Sequence, residues 1–97
     1  MDANICNAIS GRLILSFTYR GHNRVVEPHA HGVSKAGNDV MRCFQTGGTS
    51  ESGNPVGWKL MLVEEIGGLR VLEETFAGPQ PGYSRGDKGM VQIYCEL

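Results

Sequence analysis

Two polar stretches, RVVEPHAH at residues 24–31 and VMRCFQT at residues 40–46, carry the side chains best suited to chemistry. Imidazole nitrogens bind metals or transfer protons, guanidinium groups bind phosphate, and a thiol is a potential nucleophile. Apolar and polar residues also alternate in the first stretch, as they do in a β-strand. The simplest alternative is therefore a polar strand face that has no chemical role. These residues therefore raise three possibilities: a metal site, a catalytic site and a ligand-binding strand.

A metal site would start from His29 and His31, which lie two residues apart and so share one face of a regular strand. A third ligand would have to come from His22, Glu27 or a cysteine. Histidines on polar strand faces are much commoner than metal ligands. The sequence therefore predicts no metal site.

The cysteines Cys6, Cys43 and Cys95 form an odd set without C-x-x-C spacing. This pattern predicts buried, reduced thiols in a cytoplasmic protein. Cys43 could meet His29 as a nucleophile pair if their two strands form a hairpin, but a buried free cysteine is the default. No G-x-S-x-G, H-E-x-x-H or phosphate-loop motif is present, so we expect no catalytic residue, no cofactor and no enzyme.

Ligand binding accounts for more of the unusual residues. Arginine and lysine side chains can hold phosphate, histidine and glutamine can hydrogen-bond a base or ribose, and tryptophan and tyrosine can stack on a base. The alternative is that the cations are solvated and the tryptophan seals one end of the fold. The predicted ligand-binding residues are Arg24, His29, His31, Arg42, Gln45, Trp58, Lys59, Tyr83, Arg85 and Lys88.

The turn Ala36-Gly37-Asn38 joins the two opening stretches and predicts an antiparallel hairpin. Pairing of that kind would bring Arg24 and His29 into the same region as Arg42 and Gln45. Pro28 must interrupt the ladder, which favours an edge strand or a bulge. We expect a hairpin that holds phosphate with arginine and selects the base or sugar with His29 and Gln45.

The rest of the chain contains elements that would support this hairpin. Asp2 is placed to cap a helix that ends at Gly11, and short alternating segments follow at close spacing, separated by turns such as Gly67-Gly68. The predicted strands are LILSFTYR, RVVEPHAHGVS, DVMRCFQT, WKLMLVEEI, RVLEETF and MVQIYCEL. We expect a mainly β protein with one N-terminal helix and a small, strongly bent antiparallel sheet or barrel.

The 97 residues allow one domain: a helix over about 2–11, a barrel over about 12–76, and a C-terminal loop and β extension over about 77–97. The net charge of −1 gives no bulk signature of nucleic-acid binding. No apolar run is long enough to span a membrane and no signal peptide is evident, so we expect a cytoplasmic protein without membrane contact. The loops 47–57 and 77–89 are rich in glycine and could act as lids or as simple surface connections.

Several motifs resemble the WYL domain, a small SH3/Sm-like barrel of bacterial regulators. The opening I-x-x-A-I and L-x-F-x-Y patterns, the R-V-V-E-P-H strand and the segment Lys59–Ile66 carry the resemblance, which covers about residues 4–76. The Trp-Tyr-Leu triplet falls at Val40-Met41-Arg42 and is absent, and Glu65 replaces an arginine of the pattern. The resemblance implies a non-catalytic sensor that binds a nucleotide-type ligand or single-stranded nucleic acid through basic residues.

Three functions remain open at this level: a module that senses or sequesters a phosphate-bearing nucleotide, a binder of single-stranded nucleic acid, and a protein-interaction domain without a small ligand. The segment MVQIYCEL also leaves a strand edge to protect. Pairing of that edge with another chain predicts a homo-oligomer, of which a dimer is the simplest form.

Overall fold

One helix and six strands make up the computed structural model, which describes all 97 residues. About half of the residues lie in strands, and a short 3₁₀ turn at Val63–Glu65 separates two of them. In chain order the elements are α1 (Ala3–Gly11), β1 (Leu13–Tyr19), β2 (His22–Val33), β3 (Asp39–Gly48), β4 (Gly57–Leu62), β5 (Ile66–Thr75) and β6 (Gln92–Glu96). The predicted mainly β, antiparallel fold with one N-terminal helix is confirmed.

The strands form one antiparallel sheet in the order β4-β3-β2-β1-β5. β2 is the central strand, and β3 pairs along one side of it. On its other side, residues 22–26 of β2 pair with β1 and residues 30–33 of β2 pair with β6. β4 and β5 are the two edges and do not pair with each other. The sheet is therefore open and not closed into a barrel.

The sheet is nevertheless strongly bent, because only Val63–Glu65 connects β4 at one edge to β5 at the other. So short a connection spans at most roughly 14 Å, so the two edges converge at this corner. The Leu62 amide of β4 donates a hydrogen bond of 3.0 Å to the hydroxyl of Tyr19 on β1, across the same gap. A tyrosine side chain thus bridges the sheet where a barrel would have a strand pair.

The helix packs on the concave face of the sheet, which we call the inner face. The Asp2 carboxylate accepts hydrogen bonds from the amides of Asn4 at 2.9 Å and Ile5 at 3.2 Å, which caps the helix as predicted. Arg12, at φ 52°, occupies the left-handed position that ends the helix, so Gly11 remains helical. The buried core contains Ile5, Ala8, Ile9, Leu15, Phe17, Tyr19, Val26, Met41, Cys43 and Met61.

Several strand bounds differ from the sequence prediction, most clearly between β4 and β5. The predicted fourth strand continued through Val63–Glu65, but these residues form the 3₁₀ turn. Gly67 and Gly68 were expected to form a turn, but they lie inside β5, where Gly67 pairs with Thr18 of β1. The 3₁₀ turn already changes the chain direction, so the glycines are free to extend the strand.

β2 contains an irregularity between Pro28 and Ala30, where the register of its pairing with β3 shifts by one residue. Pro28 thus interrupts the ladder as predicted, but at a bulge in the central strand and not at an edge. The shift leaves His29 as an extra residue between the Pro28–Cys43 and Ala30–Arg42 pairs. The regular alternation that would place His29 and His31 on one face does not hold here.

The C-terminal strand pairs with another strand on one side only, so it keeps the strand edge that the sequence suggested. β6 pairs with residues 30–33 of β2. Its close approach depends on Gly32, because a Cβ at that position would overlap the carbonyl oxygen of Gln92. The strands left with one unpaired side are β4, β5 and β6.

The prediction of three reduced cysteines is wrong for two of them. Cys6 of α1 and Cys95 of β6 form a disulfide, with their Cα atoms 5.7 Å apart. Cys43 is free and buried, as predicted. The disulfide joins the first element of the chain to the last, because β6 returns beside the helix.

α1 is the only α-helix, and with nine residues it is too short to cross a bilayer.

Reduction of the disulfide should lower the free energy of unfolding by about 2–5 kcal/mol, since the bond closes a loop of nearly the whole chain. Urea denaturation with and without a phosphine reductant measures the loss. The Cys43→Ala variant should show the same sensitivity to reductant, because Cys43 takes no part in the bond. Three free thiols titrated in the denatured, unreduced protein would contradict the pairing.

Candidate ligand-binding site

Residues 77–91, which we call the tail segment, lie over the outer face of the β3–β4 hairpin, opposite the helix. Arg42 and Trp58 project from this face, because they alternate with the core residues Met41 and Cys43 of β3 and Met61 of β4. Arg42 binds Asp87 of the tail segment, and the Trp58 indole Nε1–H donates a hydrogen bond of 3.1 Å to the Pro81 carbonyl. The tail segment is thus fastened to both strands.

A groove of about 440 Å³ lies between the tail segment and these strands, and we call it the ligand groove. Its volume is within the range of small-molecule sites in proteins. Five of the ten predicted ligand-binding residues meet here: Arg42, Trp58, Tyr83, Arg85 and Lys88. The other lining residues are Gly82, Ser84, Gly86 and Asp87, which sequence reasoning did not select.

Trp58 and Tyr83 provide a fixed aromatic wall. Their ring centroids lie 6.1 Å apart with an angle of 22° between the planes. The Tyr83 hydroxyl donates to the carbonyls of His29 or Leu97, at 3.3 and 3.4 Å. Burial of this hydroxyl raises the pKa of Tyr83 above its ordinary value. Because both polar ends are bound to the backbone, both rings are held in place before any ligand arrives.

His29 supports this wall from behind. Its ring makes edge contacts with Trp58 at 4.7 Å and Tyr83 at 5.1 Å between centroids, and stacks on Phe76 at 5.8 Å. Nδ1 lies 2.8 Å from the Glu27 carbonyl, and Nε2 accepts the Gln80 amide hydrogen at 3.0 Å, which assigns the neutral Nδ1–H tautomer. His29 is fully buried, with both nitrogens bonded, so it positions the aromatic wall and is not free to bond a ligand.

Two of the three cations at the ligand groove are paired. Arg42 Nε lies 2.7 Å from Asp87 Oδ2, and this hydrogen bond lowers the pKa of the Asp87 carboxyl below its ordinary value. Arg85 lies 3.3 Å from Glu96 Oε1, in a more exposed pair. Lys88 is exposed and has no carboxylate within 4 Å. The groove therefore carries a net positive charge, with Lys88 as its unpaired cation.

The remaining predicted residues lie elsewhere. The hairpin of β2 and β3 is confirmed, but Arg42 and Gln45 are three residues apart on β3, and their side chains lie on opposite faces. Arg24 lies with Gln45 on the inner side, where its guanidinium donates to Gln45 Oε1 at 3.2 Å. Lys59 pairs with the buried Cys43 and so shares that side. The predicted gathering of Arg24, Gln45 and Arg42 around one ligand does not occur.

His31 is buried at the start of the helix. Its Nδ1 lies 2.8 Å from the Val40 carbonyl and its Nε2 accepts the Asp2 amide hydrogen at 3.0 Å. Tyr94 of β6 makes an edge contact with the ring at 5.0 Å between centroids. Since both nitrogens are bonded inside the protein, His31 joins α1, β3 and β6 and has no contact with the ligand groove.

The two carboxylates that pair with the groove cations, Asp87 and Glu96, were not predicted and have no local signal in the sequence. Asp87 lies 45 residues from Arg42 along the chain, within the tail segment, which contains no regular secondary structure. Glu96 is two positions from Tyr94 on a short strand, and it accepts the Gly86 amide hydrogen at 3.0 Å. Only the folding of the tail segment back onto β3 and β4 brings these carboxylates to the cations.

The metal site and the Cys43–His29 nucleophile pair that the sequence raised can each be compared with the side-chain geometry. No group of three or more His, Cys, Asp and Glu side chains is arranged to hold a metal ion. Burial raises the pKa of the Cys43 thiol to about 12, so Cys43 stays protonated at neutral pH. His29 does not form a hydrogen bond with it, because both ring nitrogens are already bonded.

No protein-family model, no curated protein and no solved structure matches this chain. The function therefore has to be inferred from the residues themselves. The features available for that inference are the size of the ligand groove, its aromatic wall and its positive charge.

The buried His29 should make stability depend on pH. Burial lowers the pKa of His29, so folding favours its neutral form. The contribution of His29 to the free energy of unfolding is therefore complete above its ordinary pKa of about 6.5, and it is lost as the pH falls below that value. Between pH 7.5 and 5.5 the loss from this one residue is at most about 1.4 kcal/mol. Urea denaturation should show a smaller pH-dependent loss in the His29→Gln variant, and equal losses in both proteins would contradict this role.

Proposed function

We propose that this protein is a non-enzymatic module that binds a phosphate-bearing nucleotide-type ligand in the ligand groove. The observation that carries the proposal is the rigid aromatic wall of Trp58 and Tyr83 beside an unpaired cation, within a groove of about 440 Å³. A base has a flat apolar face that stacks on such rings, and a phosphate needs a cation nearby.

The base would lie on the aromatic wall, and the phosphate would lie toward Lys88 and Arg85. The Ser84 hydroxyl lines the same groove and can donate to a phosphate oxygen or accept from a sugar hydroxyl. Arg42 is less available, because Asp87 occupies its Nε and one terminal nitrogen. A phosphate would therefore bind mainly through the cations of the tail segment, or would compete with Asp87 for Arg42.

We further propose kinship with the SH3/Sm-like barrels of WYL-type regulators. The bent antiparallel sheet behind an N-terminal helix is compatible with it, as are the motifs over residues 4–76. If the chain is related to these regulators, it senses or sequesters its ligand in the cytoplasm. The Cys6–Cys95 bond would persist there only under oxidising conditions, because cytoplasmic glutathione keeps thiols reduced.

Loss of the unpaired cation should weaken binding without unfolding the protein. Thermal-shift screening against mono-, di- and cyclic nucleotides would identify a ligand, because a molecule that binds only the folded state raises the melting temperature. With that ligand, Lys88→Ala should raise Kd about tenfold to hundredfold, the loss typical of a charge-assisted hydrogen bond. Lys35→Ala, an exposed lysine on the β2–β3 turn, is the matched control and should bind like the parent.

Three results would redirect the proposal. Affinity that grows with oligonucleotide length and falls steeply with salt would favour single-stranded nucleic acid as the ligand. No shift with any nucleotide or oligonucleotide would favour the protein-interaction alternative. Equal Kd values for Lys88→Ala and the parent would exclude the ligand groove as the phosphate site.

The two members of the Arg42–Asp87 pair should have opposite effects on binding. Asp87→Asn removes the counter-charge while its Oδ1 can still accept from the Gly89 amide, so Arg42 becomes available and nucleotide binding should tighten. Arg42→Ala removes a cation and should weaken binding by about 1.5–3 kcal/mol. Both variants lose the same ion pair. If that loss only disturbed the tail segment, Kd would change in the same direction in both variants, whereas the proposal expects opposite directions. Calorimetry with the identified nucleotide separates the two cases.

We also propose that the chain forms a homo-oligomer through an unpaired edge of the sheet. Both β4 and β5 have one free side, and the exposed Leu60 and Val71 lie on these strands. An open edge with apolar side chains favours pairing with a second copy. Light scattering at micromolar concentration should give at least twice the 10.5 kDa chain mass, and a clean monomer would contradict the proposal.

A further inference from the structure

Arg24 is a buried cation without a counter-charge. Only 5% of the residue is exposed, and no carboxylate lies within 4 Å of its guanidinium. Its partners are neutral: Gln45 Oε1 and the Tyr19 carbonyl oxygen, each at 3.2 Å, with the Tyr19 ring 5.4 Å away. Nε is buried and has no partner. An unpaired buried charge is costly, so its retention requires an explanation.

The guanidinium forms part of the wall of a second cavity of about 300 Å³, which we call the Arg24 cavity. Lys59 lines the same cavity, because it pairs with Cys43 on β3, two residues from the Gln45 that binds Arg24. The loop between β3 and β4 contributes Ser50 and Ser52. None of the residues lining the Arg24 cavity lines the ligand groove, which lies across the hairpin.

The charges around the Arg24 cavity do not balance. Arg20 also lines it but is paired with Glu65 at 3.0 Å. The Lys59 ammonium has only the Asn54 carbonyl oxygen, at 3.5 Å, and no carboxylate. Glu51 is the one acidic side chain in the lining, on an exposed loop. Arg24, which is buried, and Lys59 therefore both face this cavity, and neither of them is bonded to a carboxylate.

We infer that the Arg24 cavity is an anion site for a compact phosphate, either inorganic phosphate or the terminal group of a small phosphate ester. Arg24 uses one N–H for Gln45 and one for Tyr19, which leaves three of its five donors. Lys59 adds a second charge, while the Ser50 and Ser52 hydroxyls are hydrogen-bonded to each other and to the Asn54 carbonyl. A tetrahedral oxyanion with several acceptor oxygens matches this donor set better than a carboxylate does. This site is additional to the proposed ligand groove.

Phosphate binding measured at constant ionic strength tests the inference. Inorganic phosphate and ribose 5-phosphate are titrated separately by calorimetry, and at least one should bind and raise the melting temperature relative to chloride. Binding of inorganic phosphate identifies a free-anion site, and binding of the sugar phosphate alone identifies an ester site. Lys59→Gln should raise Kd for the bound species about tenfold or more.

Matched variants keep this test separate from that of the ligand groove. Lys35→Gln should bind phosphate like the parent, because Lys35 lines neither cavity, and Lys88→Gln reports any phosphate that binds in the ligand groove instead. Arg24→Gln should abolish binding, and if it does not fold, Lys59→Gln alone decides the question. The inference is overturned if neither probe binds, if Lys59→Gln binds like the parent, or if only Lys88→Gln loses affinity. The last result would assign the phosphate to the ligand groove.

Discussion

β2 must pair with three strands, and the extra residue between Pro28 and Ala30 allows it to do so. Before this bulge the strand pairs with β1, and after it the strand pairs with β6. The bulge also places the His29 ring under the tail segment, against Trp58 and Tyr83, while His31 stays at the start of the helix. A regular strand could not supply both contacts from residues two positions apart, because such residues share one face.

The ligand groove depends on contacts from distant parts of the chain. The tail segment is held by Arg42 of β3, by Trp58 of β4 and by the C-terminal residues Glu96 and Leu97. β6, which carries Glu96, is in turn joined to α1 by the disulfide. The wall of the groove is therefore supported through the entire fold, although its own residues 77–91 form no regular element. Such support explains how a segment rich in glycine and proline can present fixed aromatic rings.

Local patterns in the sequence were sufficient for the elements but not for their contacts. The Asp2 cap, the alternation of β1 and the turn between β2 and β3 each follow from neighbouring residues, and each was predicted correctly. The Cys6–Cys95 bond joins residues 89 apart and has no spacing signal, so the sequence indicated reduced thiols instead. The side of the sheet on which Arg24 and Arg42 lie depends on bulges, which a hydrophobic pattern does not reveal.

Counter-charges distinguish the cations that shape this fold from those available to bind. Arg20, Arg42 and Arg85 each bind a carboxylate. These pairs fasten the β1–β2 turn to the 3₁₀ turn, β3 to the tail segment, and the tail segment to β6. Arg24, Lys59 and Lys88 face cavities without such a partner. Exposed Lys88 loses little by remaining unpaired, since water solvates it. Arg24 is buried, so its free energy falls most when an anion arrives, and it is the cation whose burial most requires a ligand.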